Sequence, residues 1–94
     1  MPSFEIAHLN QSGQNMVIVP LDSNFGHKTT SDQRSVIAEL QLRSNAAGLA
    51  GTVVPVWDSG GGRMSFIAPN PWHPFFKSIS LGFVGANINK TLSW

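Results

Sequence analysis

The chain contains no cysteine, which excludes a disulfide framework, a thiolate metal site and a cysteine nucleophile together. Charge is scarce as well. Asp, Glu, Lys and Arg make up 12% of the 94 residues, about half of the roughly 25% usual in a soluble domain. A surface with so little charge has few devices against association. Part of its apolar and aromatic area is therefore expected to be covered by a partner, most simply a second copy in a dimer. The basic residues Lys28, Arg34, Arg43, Arg63, Lys77 and Lys90 are scattered, and the formal charge is only +1, so no concentrated basic face for nucleic acid is written in the linear order. No apolar run approaches the ~18 residues of a membrane helix. The start, Met1-Pro2-Ser3-Phe4-Glu5, lacks the basic region and hydrophobic stretch of a signal peptide. The expectation is a cytoplasmic protein without nucleic-acid or membrane partners. Catalytic motifs are missing too: there is no G-x-S-x-G elbow, Walker loop, H-E-x-x-H or dinucleotide fingerprint.

What is present divides into short elements of one domain, residues 1–94, because a chain this small keeps only one core. Phe4 to Leu9 reads as a strand, and the polar stretch Asn10 to Asn15 as a hairpin loop. Met16-Val17-Ile18-Val19-Pro20-Leu21 is a continuous apolar run, the pattern of a strand buried on both faces in mid-sheet. A helix is expected from Thr30 to Ala47. Thr30 and Gln33 have capping-box spacing, Val36, Ile37, Leu40 and Ala47 share one arc, and Gly48 is the natural stop. Ala38 and Leu42 fall on its far side as a second apolar stripe.

Leu49 to Trp57 is the next strand, with Pro55 arguing for an edge or a bulge. Gly60-Gly61-Gly62 turns the chain into a returning strand, Arg63 to Ala68. A helical turn from Pro74 to Ile79 and a long closing strand from Leu81 to Trp94 complete the order. The fold class expected is α+β in two layers, an antiparallel-rich sheet of about five strands with one main helix across one face. Without its first strand the order strand, helix, strand, strand, short helix, strand is that of a split βαβ, or ferredoxin-like, unit; a plain helix on an antiparallel sheet is the other layout. The expected core is Ile6, Val17, Ile18, Val19, Val36, Ile37, Leu40, Val54, Val56, Phe66, Phe83, Val84 and Ile88.

Asn70-Pro71-Trp72-His73-Pro74-Phe75-Phe76 is the best candidate for a site, since prolines stiffen the backbone around three aromatic rings and one titratable ring. It admits three readings: a plug for the open end of the sheet, an interface patch, or the wall of a pocket for an apolar or aromatic small molecule. Such a pocket would be lined by Trp57, Trp72, Phe75 and Phe76, with His73 and Arg63 as polar anchors. Trp94 is expected to anchor in the core or in a neighbouring subunit. His8, His27 and His73 do not have the spacing of metal ligands, and no metal or cofactor is expected. Gly60 to Arg63 has the makings of an anion nest, but it leads into a strand rather than a helix, and a hairpin turn is the expected role. The first functional reading is thus a self-associating interaction module through the aromatic segment, Trp94 or the Ala38/Leu42 stripe. A small-molecule binder is the second. An enzyme acting on such a molecule, with His73 and Asp58 as acid and base, is the third and less favoured.

Overall fold

The computed structural model describes residues 3–11, 13–49, 51–61 and 63–93. Strands β1 (Ser3–Gln11) and β2 (Gln14–Leu21) form a hairpin that turns at Gly13, whose φ of 79° suits glycine. A 3-10 turn (Ser23–His27) leads to helix α1 (Thr30–Ala46), followed by β3 (Thr52–Asp58) and β4 (Met64–Phe66). A second 3-10 turn (Asn70–Trp72) runs into α2 (His73–Ser78), then α3 (Leu81–Ala86) and β5 (Lys90–Ser93). The fold is α+β: a five-stranded mixed sheet in the order β4-β3-β2-β1-β5, with α1 packed on β3. Among the described residues no helix is long and apolar enough to cross a membrane.

β2 lies in mid-sheet and splits its apolar run between two cores. Val17 and Val19 join Ile6, Leu40, Val53 and Leu92 on the α1 side. Met16 and Ile18 join Ala7, Val54, Val56, Phe76 and Val84 on the other. The second face is therefore covered by α2 and α3, and the expected two layers are three. Burial on both faces is what a continuous apolar run implies, and it needs a cover on each.

The closing strand expected over 81–94 is replaced by α3 and the short β5. Ser80 caps α3 by accepting the N–H of Phe83 at 3.3 Å, and Leu81, Val84 and Ile88 recur at helical spacing against the core. Phe83, expected in the core, is instead 39% exposed on the outer side of α3. The sheet order also lacks the split arrangement. β3 pairs in parallel directly with β2, joined through α1, and β4 lies outside β3 rather than between them. At the start of α1 the cap is Thr29, whose hydroxyl accepts the Asp32 N–H at 3.1 Å, while Gln33 donates to the Phe25 carbonyl at 3.0 Å instead of returning to the cap.

Side-chain amides complete the sheet where strands end. The carbonyl of Pro55 accepts the Ile67 N–H at 3.2 Å, but proline has no N–H to give back, so the β3–β4 ladder stops at Phe66. Toward the start of β3, on the same edge, Gln41 of α1 takes the place of a strand. Its Nε2 donates to the Gly51 carbonyl and its Oε1 accepts the Val53 N–H, both at 2.9 Å. Asn89 does the same beyond β5, accepting the His8 N–H at 2.9 Å and donating to the His8 carbonyl at 3.0 Å. Each leaves fewer unpaired backbone groups on an open edge.

Candidate functional site

Because β2 and β3 are parallel, Leu21 and Trp57 pair side by side at their carboxyl ends. The segments that follow them flank a cleft of about 390 Å³, with Ser23, Gly26 and His27 on one wall and Trp57, Asp58 and Ser59 on the other. Open sheets with parallel strands bind ligands at this edge, outside the carboxyl ends of the strands. The walls are held by local bonds. Asp22 caps the 3-10 turn through the Asn24 N–H at 3.1 Å, and Asp58 accepts the Gly60 N–H at 2.8 Å. Gly60 and Gly61, with φ of 117° and 61°, make the β3–β4 turn, which closes through Ser59 N–H to the Arg63 carbonyl at 2.8 Å. This turn leads into β4, as the hairpin reading of the glycine run requires.

Trp57 is only 8% exposed and meets the Phe25 ring edge-on at 5.0 Å. Gly26 lies against its indole edge: a Cβ at that position would stand 2.5 Å from Nε1. The absence of a side chain at residue 26 is what lets the indole sit there.

The residues singled out from the sequence do not form one pocket. Trp57 is at the carboxyl edge of the parallel pair, whereas Trp72, Phe75 and Phe76 pack on the sheet face covered by α2 and α3. There the rings of the aromatic segment touch one another. Phe66 lies 5.3 Å from both His73 and Phe76, Phe75 is 5.2 Å from Phe76, and Phe83 is 6.3 Å from Phe75. His73 Nε2 is 3.0 Å from the Ala68 carbonyl, so the segment folds back on itself. Phe76 is 1% exposed; Trp72, His73 and Phe75 are half-buried. Arg63 lies beside Phe76 and Lys77 at a separate cleft of about 380 Å³ between β4 and α2. Asp58 shares its cleft with His27 rather than with His73. Trp94 falls outside the described residues.

His27 and Ser23 carry no motif and were not legible as site residues. Their signal was topological: they follow the carboxyl end of a strand that feeds the crossover helix. Among the described residues no three His, Asp or Glu side chains gather where they could hold a metal ion. No family model, curated protein or solved structure matches this chain.

Proposed function

We propose that the chain is a small self-associating interaction module of the cytoplasm, and that its contact surface is the layer made by α2 and α3. One observation carries this: from Met64 to Asn89 the only residue with a formal charge is Lys77. That stretch covers the second core of the sheet, over β1, β2 and β3, and it presents Phe83 at 39% exposure beside the half-buried Phe75. A two-fold contact sets each residue against the copy of its own surface. A face with one charge meets itself with at most one like-charged pair. The outer side of α1 is different, since Asp32, Arg34 and the Glu39–Arg43 ion pair at 3.1 Å keep it solvated. Leu42 there is 61% exposed, but the only other member of its stripe is the small Ala38, and single exposed leucines are ordinary.

The expected result is that the wild-type chain shows a concentration-dependent mass by light scattering and that Phe83→Glu is a monomer with the same circular dichroism. Leu42→Glu should associate like the wild type. Monomeric wild-type protein at every concentration, or monomers from Leu42→Glu alone, would overturn the assignment.

A second reading has its own support. The cleft between β4 and α2 sets Arg63 and Lys77 over an apolar floor of Met64, Phe66, Phe76 and Ile79, which suits a molecule with one carboxylate and an apolar body. Saturable binding of octanoate that is lost in Lys77→Ala would favour this reading; no binding would remove it.

A further inference from the structure

We propose that the cleft at the carboxyl ends of β2 and β3 binds a small neutral polyhydroxyl ring, a monosaccharide, held by Trp57, Asp58 and His27. The site shares no lining residue with the cleft between β4 and α2, and it stands whether or not the chain self-associates.

The first observation is an unsatisfied donor. Trp57 is more than nine-tenths buried, yet its indole N–H has no acceptor among the described residues. Among those residues no sealed side-chain nitrogen or oxygen lacks a partner, so the N–H is not sealed and opens on the cleft that Trp57 lines. A donor placed in an otherwise buried ring asks for an acceptor, and buried indole N–H groups are found with one. Glycine at residue 26 keeps this edge of the indole uncovered by any side chain, since a Cβ there would stand 2.5 Å from Nε1.

The second observation is the sign and kind of the surrounding groups. Asp58 contributes a carboxylate, with Oδ1 tied to the Gly60 N–H and Oδ2 left to accept. His27 and Ser65 line the same space. Among the described residues no lysine or arginine does. An anion would face Asp58 without a compensating charge, which disfavours phosphate and carboxylate ligands. The ligand must accept from Trp57 and donate to Asp58 at once, and a hydroxyl is the group that does both. A volume of about 390 Å³ lies toward the small end of ligand pockets, roughly 300–1,000 Å³, and fits one sugar ring better than a chain of them.

The test uses the full chain labelled with nitrogen-15 and follows the indole N–H cross-peak of Trp57, identified by its loss in Trp57→Phe. D-glucose, D-galactose and D-mannose are titrated in turn, with acetate and glucose 6-phosphate as anionic controls. The expected result is saturable movement of that peak with at least one sugar and none with acetate. Asp58→Asn, which keeps the oxygen that accepts from Gly60, should weaken binding about tenfold. Gly26→Ala should abolish it. Should Gly26→Ala fail to fold, Asp58→Asn decides the matter. No saturable movement with any of the three sugars, equal affinity in Asp58→Asn, or tighter binding of glucose 6-phosphate than of glucose would each overturn the proposal.

Discussion

Phe76→Ala is expected to lower the unfolding free energy by about 3–5 kcal/mol, the range for truncating a fully buried aromatic ring. Phe76 is 1% exposed and packs with Ile18, Val54, Val56 and Val84, between the rings of Phe66 and Phe75. Removing it opens a cavity under α2, and the neighbouring rings can collapse only partly into it. Small domains have about 5–15 kcal/mol in total, so the variant should unfold at much lower urea. Phe75→Ala, at a half-buried position, should cost clearly less. A loss under about 1 kcal/mol for Phe76→Ala, as for a surface change, would mean that the aromatic segment does not plug the second face of the sheet.

Gly51→Ala is expected to be as damaging, although it adds only a methyl group. Gly51 has a φ of 125°, a backbone conformation that side chains rarely adopt, and its Cβ would stand 2.5 Å from the Asn15 carbonyl oxygen. Strain of about 1–3 kcal/mol is joined by a collision with backbone, which cannot rotate away as a side chain can. Relief requires moving the start of β3 away from β2, and that would disturb the two bonds to Gln41, which lies along the other edge of β3. A combined loss of about 4 kcal/mol by urea unfolding is the expected outcome. By contrast Gly85→Ala, with nothing within 4 Å of its Cβ, should be neutral or slightly stabilising, since alanine favours the helix. Equal effects at the two positions would contradict the geometry assigned to Gly51.

The parts legible in the sequence were those in which local pattern and tertiary position agree. Met16 to Leu21 could be read as a mid-sheet strand because every residue is apolar, and Val36 and Leu40 as the core side of the helix because their spacing is regular, whereas Ala47 of the same arc is exposed at the helix end and Ile37 is only half-buried. The Thr29-Thr30 pair offers two possible caps, and spacing to Gln33 selected the wrong one. In α3, Gly82 and Gly85 lower the apparent helix propensity and outweigh, in the sequence, the Ser80 cap and the spacing of Leu81 and Val84. Pro55 did mark an edge, but a local one: the end of β4 rather than the rim of the sheet. β2 and β3 are adjacent and parallel, with α1 as the crossover that such a pair needs, and this pairing sets the two main walls of the cleft side by side. The site was therefore hidden because its walls, Ser23 to His27 and Asp58 to Gly60, are far apart in sequence and each reads by itself as a turn.

The same absence of cysteine that limits the chemistry of this chain makes a single introduced thiol a clean reporter of which face meets a second copy. Ala86→Cys on the exposed end of α3 and Arg34→Cys on α1 would each carry one spin label, and dipolar coupling between copies would be measured by pulsed electron resonance at high protein concentration. Association through the α2–α3 layer predicts strong coupling at residue 86 and weak or no coupling at residue 34. Coupling at residue 34 alone, or at neither position, would contradict it.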